Sequence, residues 1–223
     1  MAKPQLVADC VAAMRRTAAI PVTVKCRIGI DDQDDDRDLD NFVSTVAQTG
    51  CTTFIVHARK AWLDGLSPKE NREIPPLNYE RVYRLKKHRP KLTIVINGGI
   101  ASLEEAINHL KHVDGVMLGR AAYHTPWLLS EADQLISGDP PSSLTRRDVV
   151  GRMMDYAEEE LAKGTYLSHI ARHMLGLYHG QPNGRLWRRI LSEGAHRPGA
   201  GIDLLERALE TVEGRPSRLA AAE

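Results

Sequence analysis

Basic and small residues recur where four apolar runs of this chain stop. "VTVKCRIGI" delivers Lys25 and Arg27, and "FIVHAR" delivers His57 and Arg59. "TIVINGGI" ends in Asn97, Gly98 and Gly99, and "GVMLGR" ends in Gly119 and Arg120. Lysine, arginine and histidine supply positive charge and hydrogen-bond donors. Glycine lets the backbone approach a ligand closely, and N–H groups at a helix start hold an anion. Together these are the groups that grip a phosphate-bearing ligand. Taken singly, each has a plainer role: Gly-Gly makes a turn, a lysine is a surface cation, and a histidine is a hydrogen-bonded structural group. The ligand reading rests on four successive runs ending in the same chemistry.

Other reactive types are sparser. Cys10, Cys26 and Cys51 form no CxxC pair, and an odd count argues against a disulfide framework, which suits a reducing cytoplasm. Cys10 falls with Leu6 and Met14 on a helical face. His169 and His173 stand four residues apart but lack the intervening Glu of HExxH and a third ligand, so no metal site is expected. In "GRLWRRI", Arg185, Arg188 and Arg189 share one helical face while Trp187 points into a core. "RLKKHRPK" is a denser basic run, but it precedes a strand and so lies at the end of the fold opposite the strand tips. Asp31–Asp40 reads as a solvated acidic loop capping a helix.

The elements that must position these groups follow from periodicity. Residues 2–17 read as a helix with Leu6, Val7, Cys10, Val11 and Met14 on its apolar face. A strand follows in "IPVTVKCRIGI", and then a helix carrying Phe42, Val43, Val46 and Ala47 on one side, ended by Gly50. "TTFIVHA" is a second strand, 59–77 a long loop, 78–88 a helix and 92–96 a third strand. Ser102 and Glu105 form a capping box for the next helix, and 116–118 is the fourth strand. The strands are nearly continuous apolar runs, the pattern of parallel strands covered on both faces. Thr145 then caps a long helix, and further helices break at 180–184 and 194–201. The expected fold is α/β: four parallel strands with their helices over 1–140, an all-α helical domain over 141–213, and a loose tail over 214–223. An open doubly wound sheet and half of a (β/α)8 TIM barrel both fit four such strands, and in both the ligand sits at the strands' carboxyl ends.

Length and composition are compatible with this. The chain has 223 residues, 42% hydrophobic and 26% charged, with a net charge of +1. No run approaches the roughly 18 apolar residues of a membrane span, and no leader pattern is visible. A nucleic-acid surface would have to be local, since bulk charge does not call for one.

"VTVKCRIGID", "FIVHARKAWLDGLSPKENREIPPL", "VINGGI", "DGVMLGRAAYHTPWLL" and "HMLGLYHGQPNGRLWRRILSE" resemble the tRNA-dihydrouridine synthases, their A type in particular. The resemblance covers nearly the whole chain. It implies an FMN-carrying (β/α)8 barrel followed by a tRNA-binding helical bundle, with NADPH as reductant. It also implies hydride transfer to C6 and proton transfer to C5 of a uracil near positions 20 and 20a of the tRNA D-loop. Carried over to this chain, Lys25 and His57 contact the cofactor, Lys25 as a cation stabilising charge on the flavin ring. Asn97, Gly98, Gly99, Gly119 and Arg120 hold the FMN phosphate, while Lys69, Arg72, Arg185 and Arg188 contact tRNA. The family's proton-donating cysteine lies in a stretch resembling "NLNCGCPS…GACLM". No cysteine here lies in such a motif, and that donor is expected upstream of residue 1, so no catalytic residue is assigned within the chain. The chain is therefore expected to correspond to the C-terminal half of the barrel plus the bundle, and to bind FMN weakly or not at all alone. Two competing expectations are a non-catalytic tRNA-binding remnant and a flavin oxidoreductase of small molecules. The arginine-bearing appendage opposes the latter.

Overall fold

The computed structural model describes residues 1–33 and 37–214. Asp34, Asp35 and Asp36 of the acidic run, and the expected tail from 215 onward, lie outside the described residues. The chain forms two compact units, 1–119 and 120 onward. The first runs α1 (Pro4–Thr17), β1 (Val24–Arg27), α2 (Arg37–Ala47), β2 (Thr53–His57), a 3-10 turn (Glu70–Arg72), α3 (Tyr79–His88), β3 (Thr93–Asn97), α4 (Leu103–Leu110) and β4 (Gly115–Met117). The four strands form one parallel sheet in the order β1-β2-β3-β4.

Side chains alternate across this sheet with period two. Val24, Cys26, Phe54, Val56, Ile94 and Ile96 are buried against the helices, joined by Leu39, Phe42, Val43, Val46, Val82 and Leu85. On the other face Lys25 is exposed, and Ile55, Val95, Arg27, His57 and Asn97 are half-buried. The expectation of strands covered on both faces therefore holds for one face only. The apolar runs conceal an alternation, because Ile55 and Val95 are apolar yet lie on the less covered side.

Local signals place the helices. Pro4 occupies the first turn of α1, Asn78 Oδ1 accepts from Arg81 N at the start of α3, and Ser102 Oγ accepts from Glu105 N at the start of α4. The Glu105 carboxylate returns to Ala101 N at 2.7 Å. Helix α1 buries Ala8 and Val11, whereas Leu6 and Met14 are 56% and 54% exposed and Cys10 is also exposed. The packed side thus runs through Val7, Ala8 and Val11, keeping Val7 and Val11 of the expected face and leaving Leu6, Cys10 and Met14 outside it.

The second unit contains α5 (Arg120–His124), short turns over 126–137, α6 (Arg146–Ala162), α7 (Leu167–Ala171), α8 (Gly184–Gly194) and α9 (Ile202–Glu213). Its described residues include no strand. Thr145 and Asp148 form a reciprocal capping box at α6. Val150, Ala157, Leu167, Trp187, Leu191 and Leu205 lie at the centre of its own core. Arg147 pairs with Glu213 at 2.9 Å, tying α6 to α9.

Asp114 anchors β4 to β3. Its Oδ2 accepts from Ile94 N at 2.8 Å, its N–H donates to Ile94 O at 3.0 Å, and Lys86 Nζ lies 2.7 Å from Oδ1. Partial burial alone would push this carboxyl's pKa up, but the Lys86 and Ile94 hydrogen bonds outweigh it and hold the pKa down. Asp114→Ala is expected to cost about 1–3 kcal/mol at neutral pH by leaving a main-chain donor unmet. A depressed carboxylate contributes fully above its ordinary pKa of about 4 and loses that contribution as pH falls through the folded value. Urea unfolding of both proteins at pH 7 and near pH 3 checks this: the gap between them should shrink in acid.

Candidate functional site

The register fixes which strand-tip groups meet. Arg27 pairs with His57, His57 with Asn97 and Asn97 with Met117, forming one row across the sheet. One step back, Lys25, Ile55, Val95 and Gly115 form a second row on the same face. Lys25, His57 and Asn97 therefore share a face, with Lys25 one row below the others. Gly98 and Gly99 follow Asn97 directly, and Gly119 lies two residues beyond the end of β4. Arg120 opens α5 in the second unit.

The three cations of this region are employed differently. Arg27 Nη1 donates to Lys60 O at 2.6 Å and to Asn71 O at 2.7 Å. Arg59 Nη1 donates to Pro75 O and, at 3.3 Å, to Glu73 O. Both guanidinium groups thus hold down the long loop after β2. Burial, then repulsion from Arg59 and Arg72, lowers the pKa of Arg27. The same loop is closed by Asn71, which exchanges bonds with Trp62 N and O at 2.8 Å. It is zipped to the β1–α2 loop through Lys60 Nζ on Gln33 O at 2.6 Å and Leu63 N on Asp31 Oδ1 at 2.8 Å. Lys25, by contrast, makes no hydrogen bond or ion pair with another described residue. Its pKa is lowered, first by burial, with a smaller opposite effect of Cys26 and a further lowering by Arg27. A lysine that the protein does not use internally, on a partly desolvated sheet face, is placed to meet an anionic ligand.

The glycines also separate. Gly98 and Gly99 have φ of +120° and +73°, in the left-handed region. A Cβ at Gly98 would lie 3.2 Å from His57 Cε1, and one at Gly99 would lie 2.7 Å from Leu77 Cδ1. Tyr79 Oη donates to Gly98 O at 2.8 Å, and Asn97 Nδ2 donates to Met117 O at 2.7 Å. The Asn97–Gly99 turn is therefore required by the fold itself. Gly119 differs: its φ is ordinary and a Cβ there would meet nothing within 4 Å. Neither the backbone nor the packing of the described residues therefore requires glycine at 119.

The cysteines stand apart from this face. Cys26 is buried on the helix side of β1, and burial pushes its thiol up to about 12. Cys51 is buried with Sγ 3.5 Å from Val22 O, and Cys10 is exposed on α1. Among the described residues no three His, Cys, Asp or Glu side chains cluster as a metal site. His169 packs edge-on against Tyr166, while His173 contacts Tyr123 and Arg172.

In the second unit, α8 turns Trp187 fully inward, where Nε1 donates to Met174 O at 3.0 Å. The opposite face of α8 then presents Arg185 and Arg188 to a groove of about 950 Å³. Two glycines make this packing feasible. A Cβ at Gly176 would fall 2.2 Å from His124 O, and one at Gly184 would fall 2.1 Å from Tyr178 O. The groove also receives Arg172, His179, Tyr123 and His124, which sequence periodicity missed. They come from turns and from the five-residue α5, where no helical repeat signals a shared face. Arg189 is exposed but does not line the groove. Lys69 and Arg72 are exposed on the first unit's long loop, where Ser67 N donates to Glu70 Oε2 at 2.8 Å.

A parallel sheet with polar groups at its carboxyl tips, followed in the chain by an all-helical unit, defines an α/β protein of the kind whose ligands sit at the strand ends. The family described as Dihydrouridine synthase (Dus) matches residues 1–213. The chain belongs to that family. It is 58% identical over 213 residues to the tRNA-dihydrouridine(20/20a) synthase of Vibrio vulnificus, covering 95% of this chain and 65% of that protein. The protein of the same description from Escherichia coli K12 is 59% identical, with 95% and 62% covered. That of Xanthomonas campestris pv. campestris is 53% identical over 221 residues, with 99% and 65% covered. The chain thus spans slightly less than two thirds of the length of these relatives.

The glycine geometry gives a direct test. Gly99→Ala is expected to lower stability by at least about 1 kcal/mol, because it strains φ and strikes Leu77. Gly119→Ala is expected to stay within about 0.5 kcal/mol of the parent. Urea midpoints of the two variants should separate in that order.

Proposed function

We propose that this chain is the FMN- and tRNA-binding portion of a tRNA-dihydrouridine synthase of the A type, acting on uridines 20 and 20a of the D-loop with NADPH as reductant. Its four-stranded sheet is then one half of a (β/α)8 barrel, spanning 1–140 with α5 and the turns that follow. Residues 141–213 are the tRNA-binding helices. The observation that carries this reading is the sheet face bearing Lys25, His57 and Asn97, on which Lys25 alone of the strand-tip cations has no internal task among the described residues.

The residues present fit the cofactor. Gly119 leaves room for a phosphate, and the Gly98–Gly99 turn and Arg120 border it in sequence on either side of β4. Held by Asn97, Gly98, Gly99, Gly119 and Arg120, FMN would supply the hydride chemistry needed to reduce a uracil ring. Lys25 contributes positive charge beside the flavin ring, an electrostatic role that a neutral side chain of equal length would not fill. His57 presents its ring above Gly98 and orients the cofactor. In the second unit Arg185 and Arg188 grip tRNA phosphates, with Lys69 and Arg72 contributing from the long loop. The target base must leave the stack to be reduced, so a grip on the folded RNA is part of the chemistry. A tRNA substrate and three unpaired cysteines suit the cytoplasm. No described helix is long and apolar enough to cross a membrane.

A second reading, a non-catalytic tRNA-binding protein, needs only the basic groove along α8, which stands within the second unit by itself. One experiment separates the two. The gene in its native context is placed in a bacterial strain deleted for its own tRNA-dihydrouridine(20/20a) synthase, and the D-loop fragments are weighed by mass spectrometry. Added mass of two hydrogens at 20 and 20a supports the enzyme. Unmodified uridine with tRNA binding intact supports the second reading.

The RNA surface has its own check. Arg185→Ala is expected to weaken binding of an unmodified tRNA transcript and to reduce the log–log salt slope by about one. An unchanged slope in filter-binding titrations would remove Arg185 from the interface.

A further inference from the structure

Resting on the reading of α8 as an RNA surface, a further residue of its groove remains to be explained. Tyr123 is 53% exposed, yet its ring is held in place. Its Oη lies 3.1 Å from His173 Nδ1, and Arg172 Nε donates to His173 Nε2 at 3.1 Å. With Nε2 accepting, the ring proton sits on Nδ1 and is donated to the tyrosine oxygen. The rings of His124 and His173 stand edge-on to Tyr123, at centroid distances of 5.6 and 5.8 Å and interplanar angles of 76° and 78°. No described ring stacks parallel on it. Tyr123 is thus ordered before any ligand arrives, at little further entropic cost.

Its neighbours say what it would meet. Tyr123 lines the same groove as Arg172, Arg185 and Arg188. Guanidinium groups along a groove follow a phosphate backbone, and an ordered aromatic ring among them offers a stacking surface to a base. A duplex would not use that ring, because its bases are already stacked and it shows only edges and phosphates. We propose that Tyr123 is a stacking platform for an unpaired nucleobase of the RNA held in the α8 groove, and that Arg172, positioned by His173, grips a phosphate beside that base.

The test compares ligands with and without bases on the full chain. Affinities for an unmodified tRNA transcript, a short oligouridylate and inorganic polyphosphate are measured for the parent, Tyr123→Leu, Tyr123→Phe and Arg172→Ala. Tyr123→Leu is expected to lose about tenfold on both RNAs and nothing on polyphosphate. Tyr123→Phe, which keeps the ring, should stay near the parent on all three. Arg172→Ala should weaken all three. Tyr123→Leu binding RNA as tightly as the parent, or losing polyphosphate equally, would overturn the stacking role while leaving the RNA surface standing. A parent chain that does not bind the tRNA transcript would overturn the RNA reading itself, and this inference with it.

Discussion

The parallel register of β1 to β4 is the constraint on which everything else in the first unit depends. With period-two alternation, burying Cys26, Val56 and Ile96 against the helices sends Arg27, His57 and Asn97 to the other face. A one-residue slip would drive a lysine, an arginine and a histidine into a core of Leu39, Val82 and Leu85, leaving buried charge without partners. The register of β3 against β4 is pinned at both ends, by Asp114 on Ile94 at the start and by Asn97 Nδ2 on Met117 O at the tip. Asn97 therefore serves the sheet before it serves any ligand. Its side-chain donor sets the spacing at which the two glycine-ended strands deliver their loops.

Charge at the strand tips divides along the chemical difference between arginine and lysine. A planar guanidinium can satisfy two main-chain carbonyls at once, and Arg27 does so on Lys60 and Asn71. Arg59 does the same on the far side of the same loop. These contacts make a long irregular segment dependent on the sheet, so the residues it carries, Lys69 and Arg72 among them, hold fixed positions within that unit. Lysine, a compact point charge, cannot bridge in this way. Lys25 stays uncommitted on a face whose partial burial already disfavours its charged form, and an anion brought there would relieve that cost.

Much of this was legible in the amino-acid order. The four strands, the caps at Ser102 and Thr145, and the inward turn of Trp187 follow from local patterns that packing did not override. The face of α1 was legible only in part: Val7 and Val11 pack as expected, but Leu6 and Met14 look equivalent to them on a helical wheel and are exposed. The small Ala8, which allows close contact, carries no strong hydrophobic signal. The split between Arg27 and Lys25 was also hidden, because a basic residue at a strand end looks alike whether it binds a carbonyl or awaits a ligand. The groove on α8 was half visible. Arg185 and Arg188 repeat with helical spacing, whereas Tyr123 reaches it from the five-residue α5 and Arg172 and His179 from turns, none long enough to show a period.

Glycine makes the same point more sharply. Of the glycines along the two candidate surfaces, all but Gly119 answer to the fold: a Cβ at Gly115 would press on Val95 at 3.1 Å, and Gly180 has a left-handed φ of +74°. Gly98 and Gly99 adopt a backbone that side chains disfavour, and Gly176 and Gly184 admit carbonyls at distances no Cβ would survive. A count of glycines near strand tips or helix starts therefore overstates the ligand contacts, because it credits to binding what packing already demands. Gly119 is the remainder, with an ordinary φ and empty space before it. Of the strand-tip glycines, Gly119 is thus the one whose identity neither backbone conformation nor packing requires, which is why the proposed phosphate site is drawn there.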